Sequence, residues 1–262
     1  MKEWRVEQLT VRAYESIDAL AAGAADDAAR MLRDALAERG HANLMLATGT
    51  SQLVFLARLI AIAGPDSADP IDWSRVTGFH MDEYVGLPAT HPASFQRYMR
   101  ERVASNLSFG AFHYVEGAAA DADAEAARYA ALLETHPIDL CCLGIGENGH
   151  LAFNDPPVAD FDDPLLVKVV ALDDRCKQQQ VGEGHFATIA DVPPQAITVT
   201  VPGLLRARRV LAIVPERRKA EPVRAALEGP ISTECPASIL RRQEHATLFL
   251  DQSSAALLAD PS

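Results

Sequence analysis

Three short stretches carry the residue types from which proton-transfer chemistry on a small polar ligand is built. In "GIGENGHLAFNDP", residues 144–156, an apolar run ("IDLCCL") ends in a glycine-punctuated turn. Gly144, Gly146 and Gly149 permit close backbone approach and positive φ. His150 then projects from the turn with Asn148 and Asp155 as hydrogen-bonding neighbours. An imidazole held by a carboxylate is the usual arrangement for shuttling a proton near neutral pH. In "FHMDEYVGLP" two carboxylates, Asp82 and Glu83, stand side by side after an apolar strand. Partial desolvation keeps one such group poised as a base, the other reading being that Asp82 caps the next turn. In "ATGTSQ", Gly49 lets the backbone approach an anion at the start of a helix, with the hydroxyls of Thr48, Thr50 and Ser51 as further donors. The plainer alternative is an ordinary turn with Ser51 as N-cap. It is not a Walker loop, because the glycine spacing and the lysine are missing.

These stretches act together only if the fold brings them to one place, and each directly follows an apolar run of strand length. A long amphipathic segment opens at Ser16, a plausible N-cap, and stops at Gly40. Then "ANLMLATG" reads as strand and "QLVFLARLIAIAG" as helix; "RVTGFHMDEY" as strand and turn and "PASFQRYMRERVASNL" as helix; "AFHYVEG" as strand and "DADAEAARYAALLETH" as helix. "QAITVTVP", "RRVLAIVP" and "ATLFLD" follow as strands, with "ERRKAEPVRAALEG" as a helix opened by Pro215. Strands separated by helices of ten or more residues pair in parallel with helices on both faces. The expectation is a single α/β domain over residues 1–262, a doubly wound, mostly parallel, Rossmann-like sheet. In such a sheet ligands bind at the carboxyl ends of the strands, where all three stretches fall. Residues 156–195 carry little apolar periodicity and read as a lid region belonging to the site.

With 262 residues and 48% hydrophobic content the chain can bury a sizeable core. Its net charge of −12 repels phosphodiester backbones and anionic lipid, so neither nucleic acid nor membrane is an expected partner. No window approaches the ~20 apolar residues that span a bilayer, and the chain reads as cytoplasmic. Cys141 and Cys142 are adjacent while Cys176 and Cys235 are solitary, a pattern of buried or inert thiols and not of a disulfide framework or metal site.

The stretches "FHMDEYVGLPATHPASFQRYMRE" and "IDLCCLGIGENGHLAFNDP" resemble the two signatures of the glucosamine-6-phosphate deaminase/isomerase family, and "AITVTVPGLL", "RKAEPVRAALEGP", "CPASIL" and "ATLFLD" resemble its carboxyl-terminal third. The resemblance covers nearly the whole chain; the glycine–histidine segment alone is shared more loosely with 6-phosphogluconolactonases. It implies conversion of glucosamine 6-phosphate and water to fructose 6-phosphate and ammonia, an aldose–ketose isomerisation with deamination, without a cofactor and without a metal. It places the C2 base on Asp82 and the ring-opening histidine on His150, with Asn148 and Asp155 where the family often has an aspartate and a glutamate. Asn148 then orients the imidazole without supplying a charge.

The resemblance further places the phosphate on Thr48, Gly49, Thr50, Ser51 and Lys219. Gln180 stands where the family has a lid arginine, with Arg175 and Lys177 close by as substitutes. Lys168 matches one basic residue of an allosteric site found in some members, but Leu166 replaces another, which argues against allostery. A homo-oligomer is open to such a chain. The competing readings are a lactonase on the same fold, which needs no C2 proton abstraction, and a non-catalytic sugar-phosphate sensor, which binds without turnover.

Overall fold

Alternation of apolar runs with amphipathic segments builds one large sheet. In the computed structural model, which describes residues 1–182, 184 and 186–259, its eight strands lie in the spatial order β1 (Lys2–Val6), β2 (Leu9–Tyr14), β11 (Ala246–Asp251), β10 (Arg209–Val214), β7 (Leu140–Leu143), β3 (Ala42–Leu46), β4 (Val76–His80), β6 (Ala111–His113). All neighbours pair in parallel except β1 and β2 at one edge. Helices α1 (Ile17–Arg39) and α2 (Leu53–Ala63) cover one face; α4 (Ala122–Thr135), α6 (Val201–Leu205) and α7 (Ala220–Glu228) cover the other. The doubly wound architecture expected from the sequence is the one observed.

Strand periodicity explains the cysteine pair. Successive side chains point to opposite faces, so Cys141 packs into one core layer and Cys142 into the other. Burial pushes the Cys141 thiol up to about 12 and Cys142 well above its usual value. All four cysteines are buried and unpaired with one another. Helix α1 begins as its sequence requires, the Ser16 hydroxyl accepting from the Ala19 N–H at 3.1 Å, and ends at Gly40 with φ 79°.

The structure departs from the sequence reading in four places. The apolar run "RVTGFHMDEY" is two strands in two sheets: β4 ends at His80, and β5 (Asp82–Tyr84) begins a separate antiparallel sheet with β9 (Gln195–Val199) and β8 (Val167–Ala171). "QAITVTVP" therefore does not join the parallel sheet. Residues 156–195 are not irregular throughout, since they hold β8 and α5 (Asp174–Gly182). The helix expected over residues 92–107 is α3 (Phe95–Met99) continued by a widened π turn, Arg100–Ala104. The helix expected to open at Pro215 begins five residues later, because Glu216 takes φ 82° and a tight turn, Arg217–Lys219, intervenes.

The carboxyl end of β4 is pinned from α4. The buried Tyr129 hydroxyl donates to the His80 carbonyl at 2.7 Å and accepts the His80 N–H at 3.2 Å. His80 Nε2 accepts the Val115 N–H at 2.9 Å, which requires a neutral ring, and burial pushes its pKa down to about 3. Tyr129→Phe leaves two buried backbone groups short of a partner and is expected to destabilise the fold by about 1–3 kcal/mol. Urea unfolding checks this, and a loss below about 0.5 kcal/mol would remove Tyr129 as the pin.

Candidate active site

From β3 the chain winds outward through β4 to β6; from β7 it winds the other way through β10 to β11. The reversal leaves a crevice between β3 and β7 at their carboxyl ends, where open α/β sheets bind ligands. It holds an open cleft whose lining is drawn from several loops. Ends of four strands supply its walls: Thr48, Gly49 and Ser51 after β3, Asp82 after β4, Gly146 and His150 after β7, and Lys219 after β10. The three stretches singled out in the sequence thus meet in one place.

Asp82 and Glu83 point to opposite sides of β5 and have opposite surroundings. Glu83 accepts from the Ser94 hydroxyl and Gln96 N–H, each at 2.8 Å, the Tyr84 N–H at 2.9 Å and the Phe95 N–H at 3.2 Å. It is Glu83, not Asp82, that caps the next turn, holding the start of α3. Asp82 lines the cleft, 6% exposed, with Oδ1 buried and without a hydrogen-bond partner among the described residues. Burial, and then the charges of Glu83 and Asp155, hold its carboxyl well above the usual range. Glu83 is also raised by burial, opposed by its four donors.

His150 depends on the glycines around it. A Cβ at Gly146 would collide with the imidazole, so the ring lies directly on the Gly146 backbone. Gly149 has φ 86° and its Cα faces the Cys235 thiol, where again no side chain fits. His150 Nδ1 lies 2.9 Å from Asp155 Oδ1, an ion-pair distance, although the ring N–H is not aligned for a hydrogen bond. Burial raises the Asp155 carboxyl, but His150, Asn148 and the Cys176 thiol outweigh it and hold the carboxyl below its ordinary value. Asn148 does not touch the imidazole. Its Oδ1 accepts the His150 backbone N–H at 3.0 Å and its Nδ2 donates to Asp155 Oδ1 at 2.7 Å, so it fixes the turn and the carboxylate instead of the ring.

On the anion side, Gly49 takes φ 120° and ψ 156°, and Ser51 makes no side-chain cap to the helix behind it. Thr50 turns away from the cleft: it is exposed, and its hydroxyl accepts from Arg218 Nη2 at 3.0 Å. Lys219, 3% exposed, lies in the turn before α7 and lines the cleft. Gln179 and Gln180 of α5 also line it, and the Tyr84 hydroxyl donates to Gln180 Oε1 at 2.6 Å. Arg175 does not: it faces a neighbouring depression together with Glu147, Asn148 and Arg218. Lys177 is paired with Asp174 at 3.9 Å. Lys168 is ion-paired with Asp163 at 2.8 Å and donates to the Val158 carbonyl at 2.6 Å.

Phe95 and Phe153 stack at an interplanar angle of 8° and form the apolar wall with Met81. Sequence reasoning missed the capping role of Glu83, the clamp of Tyr84 on Gln180, and Arg218 on Thr50. Glu83 and Ser94 are 11 residues apart and Tyr84 and Gln180 are 96 apart, separations that no local pattern signals.

Residues 15–249 match the family described as glucosamine-6-phosphate isomerases/6-phosphogluconolactonase. A glucosamine-6-phosphate deaminase of Listeria monocytogenes serotype 4a is 35% identical over 215 residues, covering 82% of this chain and 87% of its own. That of Exiguobacterium sibiricum is 38% identical over 192 residues, 73% of this chain and 74% of its own. Among solved structures, a monomeric glucosamine-6-phosphate deaminase superposes with TM-score 0.84 at 29% identity, covering 95% of this chain and 99% of the other. A 6-phosphogluconolactonase from Shewanella baltica superposes with TM-score 0.75 at 22% identity over 95% of this chain and all of its own, a likeness of fold.

The raised Asp82 carboxyl has a consequence for stability. The folded state binds this proton more tightly than the unfolded chain, so wild-type stability falls as pH rises from the ordinary carboxylate range toward the raised folded value. Asp82→Asn lacks that loss and is expected to unfold at higher urea than the wild type. Its advantage should grow as pH rises above the ordinary carboxylate range. A pH-independent difference would show that Asp82 does not bury an unfavourable charge.

Proposed function

The chain belongs to the glucosamine-6-phosphate isomerase/6-phosphogluconolactonase family, and we infer that it is a glucosamine-6-phosphate deaminase, converting glucosamine 6-phosphate and water to fructose 6-phosphate and ammonia. The phosphate sits on the loop of Thr48, Gly49 and Ser51 with Lys219, and the sugar runs between Asp82 and His150. His150, held by Asp155, moves the proton that opens the sugar ring. Asp82 then removes the proton from C2 of the open aldehyde and returns it at C1. The resulting imine at C2 takes up water and releases ammonia.

The observation that carries this reading is the bare, buried oxygen of Asp82 facing the cleft. A carboxyl raised by burial holds its proton more tightly, which opposes its use as a base. An opposite charge a few ångströms away reverses that. The substrate's own ammonium at C2, adjacent to the proton to be removed, supplies it. A lactone carries no such cation, which favours the deaminase over hydrolysis of 6-phosphogluconolactone in the same cleft.

The test is ammonia release from glucosamine and galactosamine 6-phosphates, with 6-phosphogluconolactone hydrolysis measured alongside. Asp82→Asn should lower ammonia formation by about 10²–10⁴-fold and abolish exchange of the C2 hydrogen with solvent, the substrate still binding. A loss below ~10-fold, or persistent C2 exchange, would assign the base elsewhere.

A further inference from the structure

A sugar phosphate brings a dianion to a cleft in which Lys219 is the one lysine or arginine side chain among the described lining residues. A single ammonium is a point charge and does not match the geometry of a phosphate as a guanidinium fork does. The α5 segment does not provide that fork: Arg175 faces the neighbouring depression, Lys177 pairs with Asp174, and Gln180 is neutral with its amide oxygen engaged by Tyr84. We propose that Arg218, from the turn that also bears Lys219, supplies the second positive charge for the substrate's phosphate. This rests on the reading of the cleft as a sugar-phosphate site and adds a residue to it.

Two independent observations point to Arg218. The first is position. Its Nη2 lies 3.0 Å from the Thr50 hydroxyl, between Gly49 and Ser51, both of which line the cleft. The guanidinium is therefore already at the outer wall of the anion loop. Among the described residues two carboxylates hold it there, Glu216 Oε2 at 2.5 Å from Nε and Glu147 Oε1 at 3.2 Å from Nη1. The depression in which Arg218 lies shares Gln179 with the cleft, so the two spaces are neighbours with one wall residue in common. A phosphate on the loop replaces the long contact to Glu147 with a charge-assisted bond to a dianion.

The second observation is strain. Glu216 has φ 82° and ψ 145°, a conformation close to a region that only glycine adopts readily. Its N–H donates to Asp251 Oδ1 at 2.9 Å and its carboxylate grips Arg218, so both ends of an unfavourable residue are used to aim the turn that follows. Glycine would relieve the backbone but release Arg218. Strain of this kind persists where the geometry it enforces is used.

The probe is inorganic phosphate, titrated calorimetrically into the wild type, Arg218→Gln, Arg218→Lys and Glu147→Gln. Loss of a hydrogen bond to a charged group, about 1.5–3 kcal/mol, corresponds to about a 10–100-fold weaker phosphate affinity in Arg218→Gln. The same variant should raise KM for glucosamine 6-phosphate while leaving kcat/KM for unphosphorylated glucosamine unchanged. Arg218→Lys should recover part of the loss. Glu147→Gln, which removes a competing carboxylate, should bind phosphate more tightly than the wild type, a gain that a mere brace between loops would not give. Phosphate affinity within twofold of wild type in Arg218→Gln, or equal losses on glucosamine and glucosamine 6-phosphate, would overturn the assignment. The titration needs no turnover, so a protein that released no ammonia would refute the proposed reaction while phosphate affinity still decided Arg218.

Discussion

At Met81 the chain leaves one sheet and enters another. Its carbonyl accepts the Val199 N–H at 2.8 Å, which ties the residue after β4 to the antiparallel sheet. The next residue, Asp82, therefore sits in the seam between two sheets, where it is almost wholly buried. A carboxylate buried without compensation is costly, and the fold supplies compensation to its neighbour only. Glu83 receives four donors, three of them at the start of α3, an arrangement that also fixes where α3 begins. Asp82 is left to whatever enters the cleft.

The other groups reach Asp82 because the turns that carry them pack without side chains in the way. His150 rests on Gly146, and Gly149 faces Cys235. Where glycine is absent, non-glycine residues take left-handed backbone: Ala152 at φ 51° lines the cleft, and Glu216 at φ 82° precedes the turn bearing Lys219. Each such residue stores about 1–3 kcal/mol that the surrounding packing must offset. The offset is visible. Asn154 Nδ2 donates to the carbonyls of Leu151 and Val199, bridging the strained turn to the second sheet, and Asp251 anchors Glu216.

Much of this is legible in the sequence because the doubly wound fold is a local code repeated: apolar run, small-residue turn, amphipathic helix. The strand ends at Thr48, Asp82 and Gly144 could be found by that code, and the topology then had to bring them together. What could not be read was everything set by pairing across long separations. The run "RVTGFHMDEY" has no internal signal that it changes sheets at Met81, since no glycine or proline punctuates it there. Residues 156–195 looked structureless because α5, with three consecutive glutamines, buries only Cys176 and Gln180. Asn148 was expected on the imidazole; spacing alone cannot say that its amide points to the backbone and to Asp155.

Three carboxylates share this small volume, and their surroundings separate them. Glu83 is satisfied by donors, Asp155 is held low by His150 and Asn148, and Asp82 is raised by burial and by the charges of the other two. In the reaction proposed for this cleft, the last point couples the steps. Asp155 raises Asp82 only as far as its charge is unscreened, and the group that screens it is the imidazole 2.9 Å away. When His150 holds a proton during ring opening, the imidazolium–carboxylate pair is nearly neutral from the position of Asp82, and the Asp82 proton is less tightly bound. The ammonium of the opened sugar acts in the same direction. On that reading, ring opening at one side of the cleft prepares the proposed base at the other, and an empty cleft leaves the Asp82 proton more tightly held.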